Sequence, residues 1–171
     1  MEKLTRILIF TEGTILMHKG ALGHKREEIV VQIKNKEKTV NKYESYIPIK
    51  NAVKKLNIWK DEGAEIFYLT SCKKSEDISQ IQKVLQNHGF PKGKLLYRQK
   101  NEEYRDVAEK LNPNILIEDD CESIGGADEM TITHIKPDIK KKIKSISVKE
   151  FGGIDHLPEN IQNLLSYNNI S

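Results

Sequence analysis

The chain has 171 residues, 37% of them hydrophobic and 31% charged, with a formal net charge of +3. That length accommodates one ordinary domain with a sizeable core and leaves little room for a second. No apolar run approaches the ~20 residues of a membrane helix, the opening residues read as the approach to a strand and not as a signal peptide, and two cysteines, Cys72 and Cys121, suggest neither a disulfide framework nor a zinc site, so a reducing cytoplasm is the expected compartment.

Arg6-Ile7-Leu8-Ile9-Phe10 is a continuous apolar run of the fully buried strand type, ended abruptly by Thr11-Glu12-Gly13. Residues 15–47 follow no clear alternation; Arg26 to Lys34 reads as a helix, or the stretch forms a small flap beside a site. Pro48 suits an early helical position, with Ile49, Ala52, Val53, Leu56 and Trp59 at three-and-four spacing and Gly63 closing the helix. Ala64 to Leu69 is the next buried strand, ended by Thr70-Ser71-Cys72. Ser75 is the expected N-cap of a helix with Ile78, Ile81, Val84 and Leu85 on its apolar stripe. A short strand at Lys94 to Tyr97 precedes a helix from about Asn101, which Pro113 ends. Ile115-Leu116-Ile117 then forms a strand running into Glu118-Asp119-Asp120. Thr131 to Ile135 and Ser145 to Val148 are expected strands, and a loop from Phe151 to Pro158 leads to a short last helix. Lys140, Lys141, Lys142 and Lys144 read as a solvated helix face, and with no aromatics interleaved they argue against nucleic acid as a partner.

Buried strands alternating with helices predict an α/β, Rossmann-like three-layer sandwich around a mainly parallel sheet, as one domain spanning 1–171. Ligands of such sheets bind at the carboxyl ends of the strands. Those ends carry Thr11-Glu12-Gly13-Thr14, Thr70-Ser71 and Glu118-Asp119-Asp120, with Lys100 at the mouth of a helix. Carboxylates are hard ligands for Mg2+, hydroxyls suit phosphoryl oxygens, and a lysine neutralises their charge.

This pattern resembles the haloacid-dehalogenase (HAD) superfamily from Ile7 to Asp120. Gly13-Thr14 matches the close of the first family motif, Thr70 the second, Lys100 the third and Asp119-Asp120 the fourth. The resemblance implies Mg2+ held by Glu12, Asp119 and Asp120. It also implies a phosphorylated small molecule held by Thr11, Gly13, Thr14, Thr70, Ser71 and Lys100, with Glu12 and Lys100 as catalytic groups. The first motif departs from the family. Its nucleophilic aspartate is replaced by Phe10 in ungapped register, or by Thr11 with one residue deleted, and neither is a carboxylate. Glu12 stands where the family has its acid–base aspartate.

Each residue has a plainer role to weigh. Glu12 could cap a turn, Asp119 and Asp120 could bond nearby amides, Thr70 and Ser71 could cap the following helix, and Glu118 could be surface charge. Arg98 and Arg105 rival Lys100, and both cysteines read as inert; His156, beside Gly152-Gly153, is the histidine closest to a functional pattern. Three functions remain open: a Mg2+- and phosphate-binding domain without phosphoenzyme chemistry, a phosphohydrolase using metal-activated water, and an interaction module that binds through its basic surface or the loop from Phe151 to Pro158.

Overall fold

The computed structural model describes residues 3–169. Strand β1 (Arg6–Phe10) is central in a five-stranded parallel sheet. Its neighbours are β4 (Glu65–Leu69) and β6 (Ile115–Asp119); β5 (Lys94–Leu96) and β7 (Lys144–Val148) form the edges, in the order β5-β4-β1-β6-β7. Successive side chains of a strand point to opposite faces. Ile7 and Ile9 therefore join one apolar layer with α2 (Ala52–Asp61), α3 (Ser75–Asn87) and α7 (Ile161–Leu165). Leu8 joins the other, with α4 (Tyr104–Leu111) and Ile139 of α6 (Pro137–Lys140). Helices on both faces of a parallel sheet make the three-layer α/β architecture that the sequence predicts.

Residues between β1 and α2 form a separate small ribbon. Strand β2 (Leu16–Met17) pairs antiparallel with β3 (Ile47–Pro48), and α1 (Arg26–Lys34) lies between them in the chain. Pro48 thus belongs to a strand and not to a helix start. Lys50, at φ 48, is left-handed, which interrupts any helix between Ile49 and Ala52.

Two other expectations change. Ser75 is the first residue of α3, with Lys74 extended before it and no side-chain cap, so Glu76 and Asp77 compensate the exposed amides of the first turn. Thr131–Ile135 is not a strand: Thr131–His134 is a single helical turn, α5. Its cause is tertiary. The buried Glu118 carboxylate accepts the amides of Thr131 at 2.7 Å and Ile132 at 3.0 Å, satisfying the start of that turn. Glu118 is accordingly not surface charge.

The segment from Phe151 to Pro158 straps the C-terminal helix onto α2. Ile154 and Leu157 are buried, Asn51 donates through its backbone and side chain to Asp155 at 3.0 Å each, and Lys55 Nζ donates to Leu157 O at 2.5 Å. His156 remains exposed on this strap.

Candidate functional site

The three central strands place their C-terminal residues side by side. After Phe10 the chain extends β1 by one bond, from Thr11 N to Leu69 O at 3.0 Å, and then turns tightly. Thr11 O accepts from Ile15 N and Leu16 N at 2.9 Å each. Gly13 sits in this turn at φ 85, and a Cβ there would lie 3.0 Å from Asp119 Oδ2, so the position needs glycine for both conformation and space.

Glu12 reaches across to the end of β4. Its carboxylate accepts from Thr70 Oγ1 at 2.8 Å, Ser71 N at 2.8 Å and Ser71 Oγ at 2.5 Å, and also from the hydroxyl of Thr11. Burial raises the Glu12 pKa, and the hydrogen bonds from Ser71 and Thr70 work against that rise. Thr11 is wholly buried, its hydroxyl directed to Leu69 O and Glu12. Neither Thr70 nor Ser71 caps α3, whose N-cap is Lys74. Cys72 lies beneath this cluster, and burial followed by the charge of Glu12 pushes its thiol up to about 12, which keeps it protonated and unreactive at neutral pH.

On the other side of β1, Asp119 Oδ2 accepts from Thr14 Oγ1 at 3.2 Å and Asp119 Oδ1 from Cys121 N at 3.0 Å. Asp119, Asp120 and Glu150 bring one carboxylate oxygen each to within 4.8 Å of the others. Burial raises the pKa of Asp119, and Glu150 and Asp120 add to the rise as like charges. Two cations offset part of this negative charge: Lys149 Nζ is 3.6 Å from Asp120, and Arg26 Nη2, from α1, is 3.6 Å from Glu150.

A cavity of about 600 Å³ joins the two halves. Its lining includes Glu12, Gly13, Ser71, Asp119 and Glu150, with Phe10, Tyr46, Tyr104 and Phe151 as apolar walls. The Phe10 ring meets Tyr104 edge-on, centroids 5.0 Å apart, and the Arg98 guanidinium stands 4.0 Å over the Tyr104 ring. Arg98 Nη2 also donates to Ser71 O at 3.2 Å.

Glu12, Thr11, Thr70 and Ser71 thus meet in one hydrogen-bonded group, while Thr14 bonds Asp119 in a second, with Gly13 packed close to the Asp119 carboxylate. Asp120 contacts Glu150 and not Glu12: its Oδ1 accepts from Glu150 N at 3.4 Å, while the Glu12 carboxylate is absent from the acidic trio. Lys100 is exposed and outside the cavity lining, because the chain turns at Gln99–Glu102 and carries it away; Arg98, just before the turn, lines the cavity instead. Glu150 escaped the sequence reading. It reaches Asp120 because β7 pairs with β6 as far as Asp119 and Val148, which leaves the residues just past the two strands side by side, with Glu150 N donating to Asp120 Oδ1.

Sheet order and the helices on both faces define a three-layer, mainly parallel α/β fold. Two solved structures of that fold are similar to this chain. One is the Class C acid phosphatase from Bacillus anthracis with tungstate bound, at 13% identity and a TM-score of 0.55, covering 96% of this chain and 73% of that one. The other is a HAD family hydrolase from Deinococcus radiodurans R1 with bound phosphate and sodium, at 8% identity and a TM-score of 0.50, covering 84% of this chain and 80% of that one. Likeness at these identities concerns the fold. No protein-family model matches the sequence, and no curated protein matches it. No helix among the described residues is long and apolar enough to cross a membrane.

Proposed function

We propose that this chain is a single HAD-like domain that binds Mg2+ and a phosphorylated small molecule in the cavity at the strand ends, without passing through an aspartyl phosphate. The observation that carries the reading is that one cavity is lined both by Asp119 and Glu150, two members of an all-oxygen acidic trio, and by Ser71, whose amide and hydroxyl are anion-holding donors. Asp119, Asp120 and Glu150 offer hard carboxylate oxygens close enough to share one ion, the donor chemistry Mg2+ prefers. Lys149 and Arg26 offset only part of the trio's charge, since Arg26 Nη2 lies nearer Glu122, at 3.3 Å, than Glu150, at 3.6 Å, and the remaining negative charge favours a cation. Bound there, Mg2+ would neutralise phosphoryl oxygens.

The chain's own residues supply the rest. Thr70 and Ser71 present hydroxyl and amide donors, and Arg98 replaces Lys100 as the neutralising cation nearest to them. Asp119, which accepts from Thr14 and Cys121, would be the central ligand of the Mg2+ ion. Phe10, packed on Tyr104, can neither attack phosphorus nor ligate a metal, and the Thr11 hydroxyl is directed into the protein. That absence of a carboxylate at either candidate position favours binding over phosphoenzyme turnover.

Calorimetric titration of Mg2+ at millimolar concentrations is expected to show saturable binding, weakened roughly tenfold or more by Asp119→Asn. A panel of phosphomonoesters with Mg2+ is expected to bind and not turn over. Absence of Mg2+ binding defeats the proposal outright. Turnover abolished by Glu12→Gln and Asp119→Asn would replace it with a phosphohydrolase acting through metal-activated water.

A further inference from the structure

We infer that Glu12 is a built-in competitor for the anion site: its carboxylate fills the cradle formed by Thr70 and Ser71, and a phosphoryl group enters that cradle only when Glu12 leaves it. The inference rests on the proposed reading that the cavity takes a phosphorylated ligand, and adds a control to it.

A hydroxyl has a single O–H to donate, and a backbone amide a single N–H. Thr70 Oγ1, Ser71 N and Ser71 Oγ all direct theirs to Glu12, at 2.8, 2.8 and 2.5 Å. Nothing is left over for a second anion at the same place. A phosphate oxygen arriving beside the occupied cradle would meet lone pairs, and its charge would face that of a carboxylate in a half-enclosed cavity, where like charges are poorly screened.

The occupant is held firmly. Glu12 is anchored next to a turn closed by Gly13 N donating to Leu16 O at 2.8 Å, and the wholly buried Thr11 contributes a further donor. The way out is also present, because Glu12 lines the cavity and is itself half-buried. Beside the cradle, Arg98 donates only to Ser71 O, and its Nε is buried with no partner among the described residues. Charge for an incoming anion is therefore in place, and the carboxylate stands in its seat.

This arrangement distinguishes Glu12 from a group waiting to bind metal or substrate. An attractive residue, when removed, weakens phosphate binding; a competitor, when removed, strengthens it. The test is calorimetric titration of inorganic phosphate in the presence of Mg2+ into the wild-type chain, Glu12→Gln, Glu12→Ala and Glu12→Ala/Thr70→Ala. Glu12→Ala is expected to bind phosphate roughly tenfold or more tightly than wild type, the scale on which hydrogen bonds to a charged acceptor contribute. Glu12→Gln is expected to fall between them, since its carbonyl still accepts from Ser71 while its charge is gone. The double variant is expected to lose the gain. Equal or weaker binding by both single variants overturns the inference and leaves the proposed function standing. Loss of phosphate binding in every protein, together with loss of Mg2+ binding, defeats both. If Glu12→Ala melts below the assay temperature, Glu12→Gln against wild type decides the question by the same criterion.

Discussion

Replacing Trp59 by alanine is expected to lower the free energy of unfolding by about 3–5 kcal/mol, the range for deleting a large aromatic side chain from a packed core. Trp59 lies on α2, wholly inaccessible to solvent, in the apolar layer it shares with Ile7, Ile66 and Leu164. Two losses combine. The missing ring leaves a void between the sheet and the C-terminal segment, which the sheet is too rigid to fill. Pro158 O, which accepts from Trp59 Nε1 at 2.9 Å, loses its donor. The strap from Phe151 to Pro158 is then held by Asp155, by Lys55 and by Ile161 N donating to Glu62 at 2.8 Å. Trp59→Phe keeps much of the packing and is expected to cost roughly 1–3 kcal/mol, the scale of a polar group left without its partner. Urea unfolding of the three proteins, followed by circular dichroism, measures both differences. A Trp59→Ala protein as stable as wild type would show that the strap does not depend on α2, and would restore this segment as a candidate for binding something else.

How much of this was readable in advance depends on how local each cause is. The apolar runs Ile7–Phe10, Ile66–Leu69 and Ile115–Ile117 announce buried parallel strands because both faces of each are covered, and periodicity within one segment is enough to see it. Three strands adjacent in the order β4-β1-β6 must also end close together, which is why Thr70, Glu12 and Asp119 lie near one another. The failures have causes elsewhere in the chain. Thr131-Ile132-Thr133 alternates like a strand, yet Glu118 turns it into a helical start by taking its amides. Lys100 and Arg98 both carry a positive charge, and only the turn at Gln99–Glu102 separates them. Glu150 follows an edge strand whose partner was not knowable from its own residues. Most consequential is Glu12. The sequence places it correctly at the end of β1, but whether its carboxylate meets metal or hydroxyls depends on a side-chain direction that no spacing encodes.

The contribution of Glu118 to the stability of the chain is expected to fall as pH rises from about 4.5 to about 7. Burial pushes its carboxyl up from 4.5 to about 7, against the opposing pull of the Thr131 and Ile132 amides. Below 4.5 the group is protonated whether the chain is folded or not, and its contribution to folding is complete. Between the two values the unfolded chain releases the proton and the folded chain retains it, so raising the pH favours unfolding. Above about 7 the folded protein carries a buried carboxylate, and the contribution is gone. At about 1.4 kcal/mol for each unit, the difference across the window is roughly 3 kcal/mol. Glu118→Gln is neutral throughout and keeps one carbonyl to accept from α5, so it removes the slope while retaining part of the anchor. Urea unfolding of both proteins at several pH values across this window therefore isolates the effect: wild type is expected to lose stability relative to Glu118→Gln steadily as pH increases. A difference between the two proteins that stays constant with pH would mean that the amides hold the carboxylate charged at all these values. The consequence reaches the cavity, because Glu118 and the α5 residues Thr131 and His134 form part of its lining. A charged Glu118 accepts both amides at full strength, so this part of the cavity wall responds to the same titration.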